Sequence, residues 1–377
     1  MTRQNETGQQ KKTVIFVGAF RSAASDGTIG GQAIACQSLV DSPLSENVNW
    51  ILLDSTQVSQ PPPSWLVRAW NAFKRVLRVL FLMLTRKVDA LFVFTMLEFS
   101  SFSEKGLMLI LARLLGKRTV LSIRSQVREL KSDKYVFWYR RLVLRCCSSF
   151  VCQSEHAASA LINRFGCPEE RIEIVANWVD ANRYSPSPKN NSLTKFMFMG
   201  WLEKFKGVQH LVEAADRLNQ AGHKFKVDIY GGGGELQPLT ELCSQLDLNQ
   251  VVEFHGWVSG PAKLAALETA NVSILPSYSE GMPNSVLEAM ACGLAVISTP
   301  VGGVPALIQS QEQGILVEVG DAKGLAEAML SLIQDPERIE RMGIANREFV
   351  EKNHHIENVW PVMSRVLNSE TTKLCAE

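Results

Sequence analysis

Two glutamates eight residues apart, Glu280 and Glu288, stand in the segment 278–308, YSEGMPNSVLEAMACGLAVISTPVGGVPALI. Paired carboxylates suit bidentate hydrogen bonds to vicinal hydroxyls, the groups that sugars and riboses present. Glu280 falls in a loop just after the apolar run NVSILP (271–276), with Gly281 and Pro283 close behind. NSVLEAMACG then reads as a helix with Asn284 as its expected N-cap, which places Glu288 one turn inside. A helix N-terminus at the carboxyl end of a strand favours an anion such as a diphosphate. An isolated E-x7-E pair would read as two solvated acids. The flanking EGMPNSVLEAMACG and STPVGGVPALI turn the reading toward a ligand site.

The elements that must position these groups are short apolar runs separated by amphipathic stretches. TVIFVG (13–18), WILL (50–53), DALFVF (89–94), TVLSI (119–123) and FVC (150–152) are predicted strands of a first set. KFMFMG (195–200), KVDIYG (226–231), VVEFHG (251–256), NVSILP (271–276), LAVIS (294–298) and GILV (314–317) form a second. Segments 325–334 and 355–368 read as helices. This alternation predicts an α/β fold of two doubly wound parallel-sheet domains facing a central cleft. Residues 1–12 are expected to be disordered, 13–183 to form the first domain, and YSPSPKNNSL (184–193) the linker. Residues 194–353 then form the second domain.

The segment 278–308 closely resembles the signature of the family 4 (group 1) retaining glycosyltransferases, whose fold is GT-B. The resemblance implies that Glu280 contacts the hydroxyls of a donor sugar and Glu288 the ribose. Gly281, Met282, Pro283 and Asn284 would form the donor-binding loop, with the N–H groups of Met282 and its neighbours as donors; Pro283 has none to give. FMGWLEKFKGVQHLVEA (198–214) looks like the family's strand-loop-helix, in which a lysine meets the donor diphosphate. That position is Lys206, a compact ammonium suited to phosphate; outside the motif it would read as a plain loop lysine. DGTIGGQAIACQSL (26–39) resembles the first-domain glycine loop, with Gly30 and Gly31 at the positions of close approach. SEHAASALINRFGCPEERIEIVANWVD (154–180) resembles the end of the family's first domain, and IYGGGGE (229–235) its glycine turn. The final helix, 356–368, is expected to return to the first domain, as in relatives.

Two positions depart from the pattern. Trp201 stands where many members carry an arginine after the strand's glycine, leaving Lys204 as a candidate substitute. Arg124-Ser125-Gln126 stands where a first-domain histidine is frequent, and Arg124 could meet an acceptor or a phosphate. The histidines do not fall at metal-ligand spacing beside carboxylates, and no DxD motif stands out. The site is therefore read as lacking metal, and no cofactor is implied beyond the nucleotide diphosphate sugar that serves as donor substrate.

Bulk properties narrow the class. With 46% hydrophobic and 20% charged residues the chain is globular. The short apolar run after the basic pair at 11–12 reads as the strand TVIFVG, so a secretory signal is not expected. The eight cysteines form no CxxC motif, which fits a reduced, cytoplasmic compartment. Net charge is +1, yet residues 1–190 carry 25 Lys/Arg against 15 Asp/Glu, and the remainder 14 against 23. A basic first half implies an anionic partner. In segment 64–86, Arg68, Lys74, Arg75, Arg78 and Arg86 share one helical face. Trp65, Ala69, Trp70, Phe73, Val76, Leu77, Val79, Leu80, Phe81 and Met83 fill most of the other. Two readings stand: a core helix with a solvated face, or peripheral docking on an anionic membrane, on the inner face of the plasma membrane. No nucleic-acid-binding motif is present.

The expected function is a metal-independent retaining transfer of a sugar to a glycan or lipid-linked saccharide, in cell-surface polysaccharide or lipopolysaccharide synthesis. A degenerate scaffold and a nucleotide-sugar epimerase or hydrolase are the rivals.

Overall fold

The computed structural model describes residues 11–20, 31–56, 64–97, 99–124, 134–186 and 193–369. The chain divides into two compact units: Met1–Ala176 with Ile356–Glu377, and Asn177–His355. Each carries one six-stranded, wholly parallel sheet. Most of the N-terminal stretch expected to be disordered lies outside the described residues, as do 187–192 of the expected linker.

The first unit holds β1 (Lys12–Gly18), β2 (Val48–Asp54), β3 (Ala90–Thr95), β4 (Arg118–Ile123), β5 (Ser149–Cys152) and β6 (Ile172–Ile174), in the order β2-β1-β3-β4-β5-β6. Every residue of β3 and β4 is buried, because helices cover both sheet faces. Alternate positions feed two cores. On one face Phe16, Phe92 and Phe94 pack edge-to-face or stacked, with centroids 4.6–5.1 Å apart. On the other, Ile15, Val17, Leu91, Val93 and Leu121 meet the helices Trp65–Thr85, Phe99–Leu114 and Lys134–Arg145.

The helix Ile356–Asn368 belongs to this unit. Buried Arg118 donates through Nε to the Val366 carbonyl (3.0 Å) and through Nη2 to Ser149 Oγ (2.7 Å). Lys12 Nζ donates to the Asn368 carbonyl at 2.8 Å.

The second unit holds β7 (Thr194–Met199), β8 (Phe225–Tyr230), β9 (Val252–Gly256), β10 (Val272–Leu275), β11 (Ala295–Ser298) and β12 (Ile315–Leu316), in the order β12-β11-β10-β7-β8-β9. The chain winds outward from β7 to β9, then returns to lay β10 on the other side of β7. The sheet therefore changes winding direction between β7 and β10, the place where open α/β sheets take ligands.

The division falls at Ala176/Asn177, seven residues before the expected domain end. Tyr184, read from composition as the first linker residue, is buried in the second unit. Arg347 Nη1 donates to the carbonyls of Ala181 (2.9 Å) and Tyr184 (2.7 Å) and ties the segment down.

The helix Trp65–Thr85 falls within the expected segment 64–86, and its apolar arc is only partly packed. Only Val76, Val79, Leu82 and Met83 are buried, so the apolar arc is covered in part and only in its second half. Arg75 leaves the basic stripe to form a bidentate pair with Glu104, at 2.6 and 2.7 Å.

Arg118→Met removes charge-assisted hydrogen bonds from a buried site. It is expected to cost about 2–3 kcal/mol and to speed amide exchange in 356–368, read by urea titration and hydrogen-exchange mass spectrometry.

Candidate active site

The site grows from two strand ends that touch. After β7 the chain passes through Gly200 and Trp201 to a short turn, Lys204–Lys206, and then Gly207 at φ +66°. A β-carbon on Gly207 would lie 2.1 Å from the Pro276 carbonyl oxygen at the end of β10, so no other residue fits. The Tyr278 N–H donates to the Phe205 carbonyl at 2.8 Å and fixes the two loops to each other. The glycine turn after β8 supports the first loop from behind. At Gly231, φ +143°, an added β-carbon would meet the Gly200 carbonyl at 1.8 Å.

This backbone arrangement brings Lys206 and Glu280 together. Lys206 Nζ donates to Glu280 Oε1 at 2.7 Å, and Ser277 Oγ donates to the same oxygen at 2.6 Å. The side chains are 14% and 9% exposed, so the pair is shielded yet reachable. The following loop is held on both sides. The Gly303 N–H donates to the Gly281 carbonyl. Asn177 Nδ2 donates to the Met282 carbonyl (2.7 Å) and to Asn284 Oδ1 (2.8 Å). Asn177 is held in turn by His354, whose Nδ1 donates to the Asn177 carbonyl at 2.8 Å. Burial pushes the His354 pKa down.

The helix runs Asn284–Ala291 with Pro283, not Asn284, at the N-cap position, and no side chain caps it. Asn284 spends its side-chain oxygen on Asn177 instead. The first N–H groups of any helix lack intrahelical acceptors, and this helix start follows directly on the Glu280 loop. Glu288 is 2% exposed and accepts from Lys263 Nζ at 2.6 Å. Tyr184 also hydrogen-bonds Glu288; burial first, and then the Glu288 charge, raise its pKa. Each carboxylate of the pair thus has its own lysine.

Sequence reasoning did not find Lys263, Tyr184, Asn177 or Ser277 as participants. Ser277 lies three residues before Glu280 and was open to inspection; Lys263 in GPAKL carries no local signal.

Other expected residues stand apart. Lys204 is exposed and lines a surface cavity of about 490 Å³ with Phe205, Gln209, Glu235 and Tyr278. Trp201 packs edge-on against Trp257, centroids 4.4 Å apart. In the first unit, Arg124 follows β4 with its guanidinium 4.9 Å from the Phe94 ring; burial lowers its pKa to about 10, so it stays charged at neutral pH. Gly31 opens the helix Gly31–Asp41, while Gly30, Ser125 and Gln126 lie outside the described residues.

A larger hollow of about 670 Å³ near β12, lined by Ile308, Glu318 and Arg338 among others, includes none of the site residues. Asp228, Glu253 and His255 converge within 4.8 Å, a cluster that spacing did not reveal. His255 Nε2 lies 2.9 Å from Asp228 and Nδ1 3.8 Å from Glu253. Both ring nitrogens thus face carboxylates.

Comparison with known proteins decides the family. The profile of "Glycosyl transferases group 1" matches residues 182–349, and that of "Glycosyltransferase Family 4" matches 38–183. The chain belongs to the family 4 (group 1) glycosyltransferases. Over 181 residues it is 33% identical to the putative colanic acid biosynthesis glycosyltransferase WcaL of Escherichia coli, covering 46% of this chain and 45% of WcaL. It is 29% identical over 201 residues to the amylovoran biosynthesis glycosyltransferase AmsK of Erwinia amylovora, covering 51% and 49%. The chain spans about half the length of these curated relatives. Sucrose-phosphate synthase from Thermosynechococcus elongatus superposes with a TM-score of 0.74 at 17% identity, over 94% of this chain and 98% of that one. Anabaena Alr3699/HepE, solved with UDP-glucose, gives 0.69 at 15% identity, over 95% and 100%. These likenesses and the two parallel sheets establish the GT-B fold of two Rossmann-like domains for this glycosyltransferase.

Lys263→Met leaves the Glu288 carboxylate buried without its cation. It is expected to destabilise the second unit of the glycosyltransferase by about 3 kcal/mol, with Lys263→Met/Glu288→Gln recovering most of the loss in urea unfolding. His354 supplies a pH test. The fold holds its neutral form, so its stabilisation is complete above about pH 6.5, the unfolded value, and is lost as pH falls toward the lower folded pKa. The urea midpoint should drop between about pH 7 and 5, and His354→Gln should flatten that slope.

Proposed function

We propose that this glycosyltransferase moves a sugar from a nucleotide diphosphate sugar to a glycan or lipid-linked saccharide, with retention of anomeric configuration and without a metal ion. Its setting would be cell-surface polysaccharide or lipopolysaccharide synthesis, at the cytoplasmic face of a membrane. Among the described residues no helix is long and apolar enough to cross a membrane. The setting is supported by the colanic acid and amylovoran relatives, and the donor class by the UDP-glucose complex of Alr3699/HepE.

The observation that carries the reading is the Lys206–Glu280 contact at the reversal of strand order, beside an uncapped helix N-terminus. On donor binding Lys206 would turn its ammonium to the diphosphate. Glu280 would then accept from the sugar hydroxyls, and Glu288 from the ribose. As the bond from the anomeric carbon to the phosphate oxygen breaks, its electron pair passes to the diphosphate. Lys206 and the helix amides stabilise the charge that develops there. The acceptor hydroxyl attacks from the face the diphosphate leaves, passing its proton to a phosphate oxygen. No protein nucleophile is needed. With Trp201 in the arginine position, Lys206 and the backbone amides carry the phosphate charge.

Glu280→Gln and Lys206→Ala are each expected to lower kcat by roughly 100-fold or more while the thermal transition stays intact. Wild-type turnover in both would overturn the site assignment. A thermal-shift panel of UDP-, GDP- and ADP-sugars identifies the donor. Transfer is expected to persist in excess EDTA; a loss restored by added Mg²⁺ would refute metal independence.

A further inference from the structure

Among the described residues, the first half of the helix Trp65–Thr85 contributes no buried side chain. From Ser64 through Lys74 every described side chain is exposed or half-buried, and the helix covers its sheet only from Val76 onward. Leu66, Trp70, Phe73, Leu77, Phe81 and Leu84 follow one another at spacings of three or four and are 47–64% exposed. That spacing aligns them in one stripe along the helix. Six large apolar side chains in one line exceed the scattered apolar exposure normal for a soluble surface.

The chemistry beside the stripe identifies its occupant. The helix contains no acidic residue. Arg68, Lys74 and Arg78 are exposed, and Lys74 Nζ lies 5.3 Å from the Trp70 ring centre, at the edge of the stripe. Trp70 stacks on Phe73 at 5.8 Å, giving a rigid aromatic wedge with a cation on its rim. A second copy docking through the same stripe would bring these like charges together with no acid on either helix to offset them. An anionic headgroup layer meets them with the opposite sign. Tryptophan at a polar boundary, aliphatic and phenyl groups below it and basic residues alongside make the composition of a helix lying in a bilayer interface.

We infer that the exposed stripe of Trp65–Thr85 docks the first unit on an anionic lipid surface, with its apolar side chains among the upper acyl chains and Lys74 and Arg78 against the headgroups. This deepens the reading of a membrane-borne acceptor, but its test does not depend on transfer.

The test is flotation of the full chain with vesicles of phosphatidylcholine alone or with about one-third phosphatidylglycerol. Wild type is expected to float with the anionic vesicles, to be released by salt, and to show a blue shift in tryptophan emission. Lys74→Glu/Arg78→Glu should weaken binding at least roughly 30-fold, since each basic residue at such a surface contributes about 1 kcal/mol. Phe73→Ser/Leu77→Ser should abolish the blue shift. Both variants alter exposed positions and should keep the wild-type thermal transition. They should also keep transfer to a lipid-free acceptor fragment, so that failure of docking and failure of the enzymatic reading remain distinguishable. Absence of wild-type flotation, or equal flotation of the variants, overturns the proposal. So does a concentration-dependent dimer in sedimentation that Phe73→Ser/Leu77→Ser dissociates, which would assign the stripe to a second copy.

Discussion

The close approach of Gly207 to the Pro276 carbonyl is the constraint on which the site depends. Side chains as long as lysine and glutamate can meet in many ways, most of them mobile. Here the meeting is decided in the main chain. The positive φ of Gly207 turns the loop after β7 onto the end of β10, and the Tyr278–Phe205 bond locks it there. Lys206 and Glu280 then leave their backbones from adjacent, fixed points. Their pairing is an outcome of the fold, with little side-chain searching left to do.

The same logic repeats outward. Gly231 lets the β8 turn press against Gly200, and Gly303 lets the turn after β11 reach the Gly281 carbonyl. Glycines that read in the sequence as plain turns act in this unit as places where one backbone passes against another. A side chain at any of them would push a strand end out of line and carry the site with it.

What the sequence revealed follows from burial. β3, β4, β10 and β11 are covered on both faces, so they appear as unbroken apolar runs and were legible. β6, Ile-Glu-Ile at the sheet edge, has no such run and was missed. The helix Trp65–Thr85 shows the limit of periodicity: the pattern declares an apolar arc, yet only tertiary packing decides which part of it is covered. Glu280, Glu288 and Lys206 stood out because they lie in recognisable local motifs. Lys263, Tyr184 and Asn177 did not, because each meets its partner through the fold, across 25, 104 and 105 residues of sequence. The boundary at Asn177 was hidden for a related reason. A loop rich in proline and serine looks like a hinge, but anchoring by Arg347 extends the second unit to before it.

The two lysine–glutamate pairs give the resting site an internal charge balance. A stray inorganic anion meets an ammonium already engaged, and a free neutral sugar meets a carboxylate already engaged, so either alone must break an existing contact without replacing its other half. On the proposed reading, a molecule bearing both an anionic group and vicinal hydroxyls would let Lys206 and Glu280 exchange partners at once. On the proposed function, the pairing would work as a coincidence detector, favouring intact ligands over their fragments.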